Sequence, residues 1–80
     1  MSEAQKPRDE RFIKLGLNIA YYRKLNRLTQ AQLAERVKIN PKYMSQIERQ
    51  SPAMSPSLKV LFAMADVFQI PAHKLLDFDN

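Results

Sequence analysis

The sequence predicts an all-α fold, a bundle of five short helices. Three observations carry that reading. A single glycine in 80 residues and few β-branched side chains leave little material for hairpins or strands. Long charged and aliphatic side chains, which lose little freedom in a helix, are plentiful. Apolar residues recur at intervals of three and four, with capping residues between the runs.

The first helix is expected to begin at Arg8 or Asp9 and to end near Asn26, with Phe12, Leu15, Ile19 and Tyr22 as its inner stripe. Residues 1–8 are polar, contain Pro7 and read as a disordered arm; residues 9–80 read as one domain. Thr29 opens the second helix. Thr29 and Gln32 have the spacing of a capping box, in which each side chain serves the other's backbone amide. Leu33, Ala34 and Val37 form its inner face. Asn40 caps the third helix, and Pro41 takes the first helical position, where its missing amide costs nothing. Met44 and Ile47 point inward, which leaves Lys42, Tyr43, Ser45, Gln46 and Arg49 on other faces.

Residues 50–55 form a connecting loop. Ser55-Pro56 is read as a second cap-then-proline device, leading into a fourth helix with Leu58, Leu61, Phe62, Ala65 and Phe68 inside. Ile70-Pro71 ends that helix, and a last short one, about residues 72–76, returns Leu75 and Leu76 to the core.

The net charge of +5 is unevenly spread. Residues 6–49 hold eleven Lys or Arg against four Asp or Glu, whereas residues 50–80 hold two against three. A basic front and a nearly neutral back suit a polyanion on one side. The chain has no cysteine, no apolar run long enough for a membrane span and no apolar core in its N-terminal segment, so a cytoplasmic location away from membranes is expected.

The close spacing of the second and third helices, with a polar outer side on the third, is the helix-turn-helix arrangement. The major groove is about 12 Å wide and admits one α-helix, which reads a distinguishable pattern of donors and acceptors on the base edges. Such a helix must be packed behind and polar in front. Met44 and Ile47 supply the back, and Lys42, Tyr43 and Gln46 the front.

Three stretches then carry a family resemblance: Leu15-Gly16-x-x-Ile19-x-x-Tyr22-Arg23, Leu28-Thr29-Gln30-x-x-Leu33-Ala34, and Ile39-Asn40-x-x-Tyr43-Met44-Ser45-x-Ile47-Glu48-Arg49. Together with Ser55-Pro56-Ser57-Leu58-x-x-Leu61 and Ile70-Pro71-x-x-x-Leu75-Leu76, they resemble the phage repressor and Cro-type helix-turn-helix regulators, also called the xenobiotic-response-element family, over roughly residues 12–78. The resemblance implies a lambda-repressor-like DNA-binding bundle. By it, Pro41, Lys42, Tyr43 and Gln46 are the expected base contacts, and Arg23, Thr29, Gln30, Lys38, Asn40 and Arg49 the expected contacts to the DNA backbone. It also implies an ion pair between Arg23 and Glu48, tying the first helix to the third. Side-chain chemistry adds that Gln46 can pair with adenine and Lys42 with guanine, whereas Pro41 offers apolar contact alone.

The chain departs from the family where glycine usually ends the first three helices; Arg27, Lys38 and Gln50 stand there instead. A non-glycine residue in left-handed backbone costs roughly 1 kcal/mol.

One helix-turn-helix reads only a few base pairs, so the expected functional form is a homodimer on double-stranded DNA with half-sites about 34 Å apart. Phe68, Ile70, Leu76 and Phe78, the surplus hydrophobics near the C-terminus, are the candidate dimer interface. Transcriptional regulation is the expected role; relatives of this size include phage-type regulators, controllers of restriction-modification operons and antitoxins. An antitoxin or other protein-binding helical module is the alternative. The sequence shows no acid–base pair, phosphate loop or metal cluster, so no enzyme, cofactor or metal site is expected. His73 reads as a solvated surface residue, and the serines have no histidine partner at a useful spacing.

Overall fold

A computed structural model describes residues 10–49 and 54–78. They form α1 (Glu10–Leu25), α2 (Gln30–Val37), α3 (Pro41–Glu48), α4 (Leu58–Phe68) and a closing 3-10 helix, Ala72–Leu76. No strand occurs among the described residues. The expected fifth helix is present at its expected bounds, wound as the tighter 3-10 form. None of the helices is long and apolar enough to cross a membrane. The expected N-terminal arm and Gln50 lie outside the described residues.

Most of the predicted starts are present. Thr29 and Gln32 close a full capping box on α2: the Thr29 hydroxyl oxygen accepts from the Gln32 amide at 3.0 Å, and the Thr29 amide donates to Gln32 Oε1 at 2.8 Å. Asn40 caps α3 by accepting from the Lys42 amide at 2.7 Å, with Pro41 at the first helical position. The start of α4 differs from expectation. Its cap is Ser57, whose hydroxyl oxygen accepts from the Val60 amide at 3.2 Å; Ser55-Pro56 lies before the cap, with Pro56 buried.

Three helix ends share one device. Arg27, Lys38 and Gln69 adopt left-handed backbone, with φ of 60°, 65° and 58°. At each end the next residue donates its amide back to a carbonyl five residues earlier: Leu28 to Arg23, Ile39 to Ala34 and Ile70 to Ala65. Leu28, Ile39 and Ile70 then pack against the core, the hydrophobic contact that accompanies this type of helix end. The apolar residue after each turn accounts for its tolerance of a non-glycine residue. Arg27 and Lys38 stand where the family carries glycine, and both keep the left-handed conformation; no glycine-type position was suspected at Gln69.

The core is assembled from all five elements. Ile19, Leu33, Met44, Ile47, Met64 and Leu75 are fully buried. Burial of each contributes on the order of 1.5–3 kcal/mol. α3 packs on α2 and α1, α4 on α2 and α1, and the 3-10 helix fills the space between α1 and α4. Asn18 latches that last element to α1, its amide nitrogen donating to the carbonyls of Leu75 at 3.0 Å and Asp77 at 3.2 Å.

The only glycine sits where α1 meets the end of α3. A Cβ on Gly16 would lie 2.5 Å from the Ile47 carbonyl oxygen, so a side chain there would push α1 off α3. The requirement is one of close approach, since Gly16 lies within regular helix.

Two buried faces differ from their predicted stripes. In α1 the inner residues are Leu15, Gly16, Ile19 and Arg23; Tyr22 is half-buried and stacks on Phe68, and Phe12 is 42% exposed. In α4 they are Leu61, Met64, Ala65 and Phe68, while Leu58 and Phe62 stand 66% and 53% exposed. α4 is apolar nearly all round, LKVLFAMADVF, so spacing alone does not select its inner face. Leu76 likewise does not return to the core; only Leu75 does.

Candidate nucleic-acid interface

The surface with the strongest local definition is the outer side of α3 with the ends of α2 beside it. Met44 and Ile47, both fully buried, fix the rotation of α3 about its own axis. Pro41 and Lys42 are exposed at its N-terminus, Gln46 is partly exposed one turn on, and Arg49 is exposed at its C-cap. Lys42 and Gln46, four residues apart on a helix, therefore share one face.

The depth of α3 is fixed by a single carboxylate. Glu48 Oε2 accepts from Arg23 Nε at 2.7 Å, and Glu48 Oε1 accepts from Arg23 Nη2 at 2.9 Å and from Gln30 Nε2 at 3.0 Å. One side chain thus joins the end of α3 to α1 and to the start of α2. Arg23 Nη1 donates in turn to the Leu28 carbonyl at 2.7 Å, in the turn that follows α1. The side chains of Arg23 and Glu48 are only 11% and 6% exposed. Among the described residues no buried side-chain nitrogen or oxygen lacks a partner.

These contacts revise several expected roles. Arg23 has all three guanidinium nitrogens engaged inside the protein and is buried, so it does not offer itself to a phosphate. Gln30 gives one N–H to Glu48 and keeps the other, so the ion pair aims Gln30. Tyr43 was expected in front, yet its ring is half-buried against the core and its hydroxyl donates to the Ser55 carbonyl at 3.3 Å. It braces α3 against the segment leading to α4. Thr29, Lys38 and Asn40 are exposed along the α2–α3 edge, and the Asn40 amide nitrogen remains available after capping.

The expected dimer residues do not form one surface. Phe68 is buried in the chain's own core and stacked on Tyr22, with ring centroids 5.9 Å apart. Ile70 is the core contact of the α4 turn. Leu76 and Phe78 do lie together, lining a groove with Phe12, Pro56 and Leu58. Phe12 and Leu58 were expected in the core and are exposed instead; the signal that could have shown it was the excess of large apolar residues over what one inner face of α4 can bury.

Among the described residues no group of His, Cys, Asp and Glu is arranged to hold a metal ion.

Comparison with known proteins bears on this arrangement at the level of the whole fold. A family model described as helix-turn-helix matches residues 19–75. The crystal structure of SinR, the master regulator for biofilm formation, in complex with DNA aligns at 33% identity with a TM-score of 0.71, over 79% of this chain and 98% of that one. The restriction-modification controller protein C.AhdI from Aeromonas hydrophila aligns at 22% identity with a TM-score of 0.75, over 84% of this chain and 98% of that one. A hypothetical transcription factor, NHTF from Neisseria, aligns at 24% identity with a TM-score of 0.72, covering 90% and 81%. The last two likenesses speak to the fold alone. No curated protein matches the sequence significantly.

Proposed function

The chain belongs to the helix-turn-helix family, and from that premise we propose that it is a DNA-binding regulator of transcription, reading an operator through the outer side of α3. It does so as a two-fold pair on a partly palindromic site. One observation carries the reading: a helix of eight residues, Pro41–Glu48, backed by two fully buried side chains and tied by Glu48 to α1 and α2, presents Lys42 and Gln46 outward. A helix so held meets the groove in one orientation, which base readout requires.

Roles follow from the donors left over. Lys42 donates to guanine O6 and N7 or to a neighbouring phosphate, and Gln46 pairs with adenine N6 and N7. Pro41 offers its ring to a thymine methyl. Gln30, Thr29, Asn40, Lys38 and Arg49 position the domain on the sugar-phosphate backbone without reading sequence. The basic excess of residues 6–49 supplies the general attraction, which weakens as salt rises.

The test is selection of bound duplexes from a random pool at about 0.15 M salt, followed by titration of the winners across salt concentrations. An enriched two-fold motif with half-sites about 34 Å apart is the expected result. Salt-sensitive binding without a motif would reduce the protein to a nonspecific basic domain. Absence of binding would sink the reading and point to a protein partner.

A further inference from the structure

We infer that the outer face of α1, built on Leu17, Tyr21 and Leu25, docks a short acidic amphipathic helix of another protein, and does so while α3 is on DNA. The docking rests on the surface itself; only its coexistence with DNA rests on the operator reading. Leu17, Tyr21 and Leu25 are 46%, 60% and 62% exposed. Set four residues apart, they form one stripe along α1. The stripe borders a groove between α1 and the 3-10 helix, lined by Leu17, Asn18, Tyr21, Tyr22, Lys74 and Asp77. Tyr21 meets Tyr22 edge to face, with ring centroids 5.1 Å apart, which holds its exposed ring at the rim of that groove.

Size selects a helix as the occupant. With large side chains of roughly 150–200 Å² each, these exposures leave on the order of 300 Å² of apolar surface. A patch of that size is well short of the roughly 800 Å² that each partner of a standard complex buries, so two folded domains would gain little from it. The stripe is about 12 Å long at 1.5 Å per residue, and a helix of two to three turns covers it with anchors three and four residues apart.

Charge selects the composition of that helix. Lys14, three residues before Leu17, and Lys24, three after Tyr21, are exposed beside the stripe. Lys74 stands exposed across the groove, and Arg27 is exposed in the turn that follows α1. Two acids stand against these four bases: Glu10 at the N-terminal end of α1, and Asp77, which already has an interaction of its own. Arg11 lines the other groove, beside Phe12. The rim is therefore positive, and a helix with carboxylates flanking an apolar stripe matches it. DNA would match the lysines and gain nothing from Leu17 and Leu25. A second copy of the chain would bring the same positive rim against this one.

The face points away from α3. α1 meets α3 through Gly16 and Arg23, which reach Ile47 and Glu48. Both positions lie roughly 140–160° around the helix axis from Tyr21, at 3.6 residues per turn. A helix seated on the stripe therefore leaves Lys42 and Gln46 uncovered.

The full chain, labelled with nitrogen-15 and titrated with two synthetic peptides, tests the inference. Both peptides carry the same leucine stripe at helical spacing; one has glutamate at every other position near it, the other lysine. The glutamate peptide is expected to bind in the micromolar range and to shift the amides of residues 14–25 and Lys74, and the lysine peptide to leave them unmoved. Tyr21→Ala and Leu25→Ala are each expected to weaken binding by about fivefold or more, with helical circular dichroism unchanged because both side chains are exposed. Lys14→Glu/Lys24→Glu is expected to reverse the preference between the peptides. The same amides should move when operator duplex already occupies α3. Shifts confined to α2 and α3 would reduce the effect to attraction between opposite charges and overturn the assignment. So would equal binding of both peptides, no binding at about 1 mM, or self-association of the wild-type chain that Tyr21→Ala abolishes. The operator reading is scored separately, by selection from the random pool. Its failure there, with the titration as expected on the free chain, would leave the docking face standing and remove only its coexistence with DNA.

Discussion

The α2–α3 pair and the α4 region are built alike and finished differently. Each buries an inner stripe against the same core, and each closes a helix with a left-handed residue followed by a packed isoleucine: Lys38-Ile39 in front, Gln69-Ile70 behind. The difference is in what stays outside. The front leaves Lys42, Gln46, Lys38 and Arg49, whereas the back leaves Leu58, Phe62 and Leu76. A shared core logic is thus finished with two unlike surfaces, one polar and basic, the other apolar.

The harshest way to break the comparison is to cut the link that holds the front in place. Glu48→Ala leaves Arg23 buried without a counter-charge and is expected to cost about 3–5 kcal/mol in urea or thermal unfolding. The double replacement Arg23→Met/Glu48→Leu should recover most of that loss, because no charge is then left uncompensated. A Glu48→Ala chain as stable as wild type would mean that the pair does not fix α3. Gly16→Ala comes next. With the Ile47 carbonyl in the way, an expected loss of about 1–3 kcal/mol reports how rigidly α1 and α3 are pressed together.

Variants of the outer surfaces sharpen the contrast without touching the core. Lys42→Ala and Gln46→Ala should each lower operator affinity by about 1–3 kcal/mol, measured by fluorescence anisotropy, with discrimination relaxed at one base position. Their unfolding midpoints should stay put, since such surface changes usually fall within about 0.5 kcal/mol. The smallest effect is expected from Lys38→Gly: no more than about 1 kcal/mol in stability, with a salt slope of DNA binding shallower by about one. An unchanged slope would remove Lys38 from the backbone contacts.

The same contrast explains what could be read from the sequence. The front was legible because its signals are local: Thr29 with Gln32, Asn40 with Pro41, and Met44 with Ile47 each act within one helical turn. The Arg23–Glu48 pair came from the family resemblance; its partners stand 25 positions apart, beyond any pattern of spacing. Its capture of Gln30 was not visible in either way. Behind, α4 carries apolar residues on nearly every face, and only tertiary packing selects Leu61, Met64, Ala65 and Phe68 for burial. The cap lies at Ser57 and not Ser55: Pro56 is buried ahead of the helix, and the Ser57 hydroxyl takes the Val60 amide. Tyr43 is harder to place from sequence because its ring spans both environments, packed on the core with its hydroxyl at the loop.

Glycine is used here where most chains would not use it, and withheld where most would. The one glycine lies inside a helix, while the three left-handed turns among the described residues are made by arginine, lysine and glutamine. Bending such residues into that conformation costs roughly 1–2 kcal/mol each in the folded state. The denatured chain answers for part of it: with side chains at those positions it explores fewer backbone states, which is worth about 0.4–1 kcal/mol per glycine avoided. Strain at Arg27, Lys38 and Gln69 is thus partly cancelled by entropy that the disordered chain never had. Replacing all three with glycine would relax the fold and loosen its competitor together.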